Sequence, residues 1–342
     1  MSLDKIFERY AAVINGNAPP PSVPRYKSYA VSNLRGGVGK TSLTFNLAYE
    51  LSVNHRVLVA DLCPQCNLTE TFFRGHEDPE VTILDALKPI VSGPAFGTAP
   101  DDLGYRISQL RNEFKATKAS FIVPGNPELF AFPSTLYQQL QQAKDPGPVT
   151  ALLSSLKTIL TKQAENQKCD IILMDTSPFY AGGTHLAWVA ADALIIPVKV
   201  DEHSVASLEL ILKMLSDANQ DFGYWNSRST GITAPRVAAI VMTMAGARSN
   251  TAGTPDRASM MYIKRAYEFA SHYRHLFDHK DLSDAIIITD DMSSGGRISG
   301  SESIPLSKLT VGRFHTIGGK RIQVNASVEK YTNQLRYLAG AI

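Results

Sequence analysis

The chain has 342 residues, 44% of them hydrophobic, and a formal net charge of +2. That is enough apolar material for one large domain or two ordinary ones, and the near-neutral balance lacks the excess of a strongly basic nucleic-acid binder, while local basic patches stay open. Three cysteines exclude a disulfide scaffold and suit a reducing cytoplasm, no run of about 18 apolar residues marks a membrane span, and no basic–apolar–cleavage pattern marks a secretion signal.

In chain order, residues 4–14 predict a short helix with Ile6, Tyr10, Val13 and Ile14 on one side. It packs on its own domain, or it bridges to a partner or a second copy. Residues 15–24 hold four prolines and a glycine and read as a linker. Residues 1–27 thus form an N-terminal helix and proline-rich linker, and 28–342 form a single main domain. From residue 28, apolar β-branched runs at 28–34, 56–62, 119–125, 169–175, 192–200, 236–244 and 284–290 read as strands. Helical apolar spacing lies between them, as at 41–52 and 149–167. Continuous apolar strands alternating with helices predict an α/β fold: a mostly parallel twisted sheet with helices on both faces, a three-layer α/β/α arrangement. Residues 291–306, rich in serine and glycine, read as a mobile loop.

The strongest chemical signal is Arg35-Gly36-Gly37-Val38-Gly39-Lys40-Thr41-Ser42, between a strand and a helix. Glycines let the backbone wrap an anion, and the helix N-terminus directs N–H groups at it. Lys40 supplies charge to the β- and γ-phosphates, and Thr41 a hydroxyl to Mg²⁺. The glycine that opens the usual phosphate-loop pattern is replaced by Leu34. A second apolar strand ends at Asp175, a carboxylate that can hold Mg²⁺ through water. Asp170, ahead of that strand, reads as a solvated end.

Together these residues resemble the deviant Walker A P-loop ATPases of the ParA/MinD kind, ParA-like partition ATPases most closely. The supporting stretches are Arg35–Thr41, Asn46-Leu47-Ala48, Asp61-Leu62-Cys63-Pro64-Gln65-Cys66-Asn67, Pro178, residues 190–208, residues 241–250 near the nucleotide base, and Tyr331 to Leu338. The resemblance spans roughly residues 28–342. It implies an ATP- and Mg²⁺-dependent sandwich homodimer that binds DNA without sequence preference. It also implies hydrolysis stimulated by a ParB-like or adaptor protein, partition of a plasmid or chromosome or positioning of a cargo, and a cytoplasmic, nucleoid-associated location. ATP contacts are then expected from Arg35, Gly36, Gly37, Val38, Gly39, Lys40, Thr41, Ser42 and Met244. Mg²⁺ contacts are expected from Thr41, Asp61 and Asp175, and catalytic roles from Arg35, Lys40, Asp61 and Cys63.

Two positions depart from the family. Arg35 stands where a lysine reaches across the dimer; it keeps the charge with a larger planar fork, and acts across the dimer or only structurally. Cys63 stands where an aspartate helps orient the attacking water. A thiol is a weak hydrogen-bonding group, so ATP is expected to bind normally and to be hydrolysed slowly or with a partner's help. That opens a second reading, a nucleotide-switched regulatory protein with little hydrolysis. The Cys63-x-x-Cys66 spacing opens a third, a carrier of zinc or an iron–sulfur cluster held between protomers. For DNA, Arg297, Lys320 and Arg321 are the best-placed basic residues, and contact with phosphates through them would be salt-sensitive. The last helix reads as core-packing, without the amphipathic membrane-targeting pattern, and no N-terminal helix-turn-helix is evident. No membrane partner is therefore expected.

Overall fold

The structure, a computed structural model, describes residues 2–19, 21–246 and 253–342. Among the described residues the main sheet has eight strands: β1 (Ser28–Val31), β2 (Val57–Asp61), β3 (Tyr105–Arg106), β4 (Phe121–Val123), β5 (Ile171–Asp175), β6 (Ala193–Lys199), β7 (Arg236–Ala245) and β8 (Ile286–Asp290). They lie in the order β3-β4-β2-β5-β1-β6-β7-β8. All pairs are parallel except the short edge pair β3–β4. Side chains alternate across each strand: Ala30, Leu58 and Ala60 enter one apolar core, while Tyr29, Val31, Val57 and Val59 enter the other. Burial on both faces is why these strands are continuously apolar. Helices cover each face, with Leu43, Leu47 and Leu51 of α2 (Lys40–Ser52) on one and Val205 and Leu208 of the helix Glu202–Ser216 on the other.

The N-terminal helix α1 (Ser2–Ile14) sits on the chain's own fold. Ile6, Tyr10 and Val13 are buried. Arg9 donates to Asp284 Oδ1 and to the Ile286 carbonyl, both at 2.8 Å, and the Tyr10 hydroxyl donates to Asp290. The helix is thereby fastened to both ends of β8. At the other end of the chain, Val328, Tyr331, Leu335 and Leu338 of Ser327–Gly340 are buried, as a core-packing helix requires.

Several expectations need correction. Residues 291–306 are not a mobile loop: Ser293–Glu302 is a helix. Its serines and glycines are poor helix formers, but tertiary packing overrides propensity, with Ile298 fully buried and Gly295 so close to Leu306 that a Cβ would lie 3.2 Å from its methyl. The single helix expected over 149–167 is two, Pro146–Leu153 and Ser155–Asn166, broken at Ser154. Unforeseen is a separate antiparallel hairpin of β9 (Phe314–Ile317) and β10 (Lys320–Gln323). Its connecting pair, Gly318 and Gly319, has φ of +56° and +77°, the two positive values a tight two-residue hairpin turn needs. No described helix is long and apolar enough to cross a membrane.

Candidate nucleotide site

After β1 the chain turns sharply through residues 32–39 into α2. Gly37 and Gly39 have φ of +74° and +88°, a region costly for residues with a Cβ. Gly39 is also the residue before the first turn of α2, so unpaired helical N–H groups open onto the loop. Lys40 is buried, and its ammonium donates to the carbonyls of Asn33 and Arg35 at 3.0 and 2.9 Å. Burial lowers its pKa, while the nearby Asp175 and Cys63 hold it up. The loop itself is braced from below. Asn33 donates to the Pro197 carbonyl at 2.7 Å and its Oδ1 accepts from the Arg35 amide and the Ser207 hydroxyl. Thr243 donates to the Val38 carbonyl at 3.1 Å.

Asp175 at the end of β5 is fully buried. Its Oδ2 accepts from Thr41 Oγ1 at 2.7 Å, and Thr44 Oγ1 lies 3.2 Å from its Oδ1. Burial, and then the charge of Asp61, lift its pKa to about 7. Asp61 is its register partner on the adjacent strand β2. A buried carboxylate held 2.7 Å from a threonine hydroxyl at the mouth of the loop is a pair of hard oxygen donors, the set Mg²⁺ prefers.

Asp61 is differently engaged. Its Oδ2 accepts from the amide and hydroxyl of Thr69 at 2.9 and 2.8 Å, and its Oδ1 from the Cys63 amide at 3.0 Å. Thr69 lies in the short helix α3 (Asn67–Phe73), and its hydroxyl accepts from the Gly125 amide at 2.8 Å. Both oxygens of Asp61 therefore brace the turn from β2 into α3.

Two cavities flank the loop. The smaller, about 180 Å³, is lined by Gly36, Gly37, Gly39, Lys40, Thr41 and Ser42 from the loop, Cys63, Gln65 and Asn67 from the β2–α3 turn, and Thr176 and Pro178 beyond β5. Its lining includes the loop glycines and Lys40, whose N–H groups are the donors a phosphate would meet. The larger, about 540 Å³, shares Gly39 and Ser42 and adds Val38, Met244 at the end of β7, Thr289 to Asp291 at the end of β8, Arg297 and its neighbours in the helix Ser293–Glu302, and Ile322 of β10. It could take a nucleoside. Met244 has φ of +57°, and Thr243 and Met244 of the stretch 241–250 line this cavity; residues 247–250 of that stretch lie outside the described residues.

Burial pushes the thiol of Cys63 up to about 11 and that of Cys66 to about 12, so both are neutral near neutral pH. Among the described residues no group of three or more His, Cys, Asp or Glu side chains is placed to share a metal ion. Arg35 points within its own chain, its Nε lying 4.0 Å from Asp201, which caps the helix Glu202–Ser216 through Ser204. Arg297 borders the larger cavity, whereas Lys320 and Arg321 are exposed on the hairpin, Arg321 stacked on Phe314 at 4.2 Å. The three basic residues singled out for DNA thus fall in two environments. The bracing groups Asn33, Thr44, Thr69 and Asp201 were missed in the sequence. Thr44 alone had a signal, lying three residues after Thr41 on the same helical face.

Residues 26–226 match the family described as an AAA domain. Maintenance of carboxysome distribution protein A of Gloeothece citriformis is 29% identical over 191 residues, covering 55% of this chain and 63% of that protein. Sporulation initiation inhibitor protein Soj of Bacillus subtilis (strain 168) is 26% identical over 226 residues, 66% of this chain and 75% of that one. The match thus spans less than two thirds of the first relative's length. Among solved structures, apo McdA of Cyanothece has a TM-score of 0.59 at 22% identity, covering 82% of this chain and 92% of its own; at that identity it speaks for the fold.

Proposed function

The chain belongs to this AAA-domain family as a ParA/MinD-like partition ATPase, and we propose that it is an ATP-switched positioning protein that dimerises around ATP and holds DNA without sequence preference. The observation that carries the reading is the junction of Lys40, Thr41 and Asp175 around a loop bent at Gly37 and Gly39. In it, Lys40 and the first amides of α2 take the β- and γ-phosphates in the smaller cavity, and the larger cavity, with Met244, takes the nucleoside. Thr41 and Asp175 hold Mg²⁺, which when bound offsets phosphate charge. Bracing by Asp61 sets the position of Gln65 and Asn67. Arg35 is the group that could turn from Asp201 toward a second protomer's nucleotide. A neutral thiol at Cys63 gives no carboxylate to orient water, so turnover is slow unless an adaptor protein supplies a group.

The test is retention of DNA of unrelated sequences by the wild type with ATP, with ADP, and by Lys40→Ala with ATP, each over a salt series. The reading expects retention with ATP only, falling steeply with salt, and none for the variant. Equal retention in all three, or none in any, would overturn it. Cys63 also supports a second reading, a nucleotide-switched regulator with little hydrolysis, for which an ATP dimer without affinity for DNA would speak.

A further inference from the structure

The nucleotide reading leaves the second cysteine of Cys63-x-x-Cys66 without a task. The Cys66 amide donates to the Cys63 carbonyl at 2.9 Å, so the two residues are the ends of one closed four-residue turn. Such a turn brings its terminal Cα atoms within about 7 Å, a range that overlaps the span of about 4.4–6.8 Å that a disulfide bridges. Cys66 adopts φ of +52°, a left-handed conformation that is sparsely populated for a residue with a Cβ and that surroundings must enforce. Those surroundings are the Asp61 bonds to the Cys63 and Thr69 amides, one on each side of the turn. Both cysteines are free and buried, and Cys63 forms part of the wall of the smaller cavity together with Gln65 and Asn67. Cys63 therefore borders that cavity, with Cys66 at the other end of the same turn.

We propose that Cys63 and Cys66 are a reversible modification site: a small-molecule disulfide such as oxidised glutathione converts them to an intramolecular bridge. The reacting species is the small fraction of one cysteine that is ionised, and this thiolate attacks the oxidant's sulfur–sulfur bond, forming a mixed disulfide and expelling one glutathione thiolate. The other cysteine thiolate then attacks the protein-side sulfur, closing the bridge and expelling the second glutathione thiolate. The cysteine pair loses two electrons, the oxidant gains them, and the two cysteine protons pass through solvent to the released thiolates. The bridge pins the turn that carries Gln65 and leads into Asn67, fixing both relative to the phosphate loop. In the reduced chain that turn is held by hydrogen bonds and by the packing of Leu62 and Leu68, without a covalent link, so the redox state sets how freely the β2–α3 turn adjusts to an occupant of the cavity.

The experiment oxidises the purified full chain in oxidised/reduced glutathione mixtures, without nucleotide, and follows free thiols and intact mass. The wild type should fall from three free thiols to one, losing two hydrogen masses while remaining a single chain on a non-reducing gel. Cys169→Ser should form the same bridge, whereas Cys63→Ser and Cys66→Ser should each stop at a glutathione adduct. Retention of all three thiols in the wild type, stable adducts without a bridge, or bridges only between chains would each overturn the proposal. A second arm adds Mg²⁺ with a non-hydrolysable ATP analogue and rests on the nucleotide reading: the bridge should then form several-fold more slowly. A bridge that forms at the same rate with and without the analogue supports the modification site and counts instead against phosphates in the smaller cavity.

Discussion

A lysine ammonium held between two backbone carbonyls, beside a thiol and a buried carboxylate, sets the electrostatics of the loop. Lys40 is the only cation among the residues lining the smaller cavity, so the charge of bound phosphates falls on it and on the helix N-terminus. Cys63 faces the same space but, being neutral, cannot polarise water. Restoring a carboxylate with Cys63→Asp is expected to raise phosphate release by about 10²-fold, the scale of a positioned base, with nucleotide affinity changed far less. Release measured at saturating ATP checks this; an unchanged rate would mean that Cys63 is not where turnover is limited. The residues that carry this chemistry were legible because glycine, lysine, threonine and aspartate have few other reasons to occur at that spacing between a strand and a helix. The role of Asp61 was not, because its partner Thr69 lies eight residues on and only the fold of the turn brings the two together.

At the scale of elements, α2 carries a second titrating group far from the phosphates. Glu50 is buried beside Ser307 and 3.7 Å from Arg336. Burial lifts its carboxyl to about 7, against the pull of Arg336 and Lys308. The folded chain therefore binds the proton more tightly than the unfolded chain does. Stability from Glu50 is complete below its ordinary value of 4.5 and is lost as pH rises through about 7. Glu50→Gln should flatten the fall of the urea midpoint across that window; equal slopes in the two proteins would refute the assignment. The helix Ser293–Glu302 makes a separate case. Its sequence advertises a loop, and it is helical because Ile298 and Gly295 are packed. Ile298→Ala should cost about 2–5 kcal/mol in denaturant unfolding. It should also weaken nucleotide binding, since Ser293, Ser294, Gly296 and Arg297 of the same helix line the larger cavity. Normal affinity in that destabilised variant would separate the helix from the nucleoside. Strands were readable where both faces are buried, since the sequence must then be apolar throughout. The hairpin β9–β10 was not, because it is short, largely exposed and joined to no other sheet.

For the whole molecule, the switch-point logic of a parallel sheet gathers the functional residues at one edge. The C-terminal ends of β1, β2, β5, β7 and β8 all deliver side chains or loops to the two cavities, the place where open α/β sheets bind ligands. The N-terminal helix reaches the same edge from outside, since its Tyr10 bonds Asp290, a residue of the larger cavity. Dimerisation follows from this layout only if a second copy closes over that edge when ATP fills it, drawing Arg35 away from Asp201. The central claim is therefore tested by sedimentation of the wild-type chain with Mg²⁺ and ATP, compared with ADP. The account predicts twice the 37.3 kDa chain mass with ATP and the single-chain mass with ADP. The same mass under both nucleotides would contradict it.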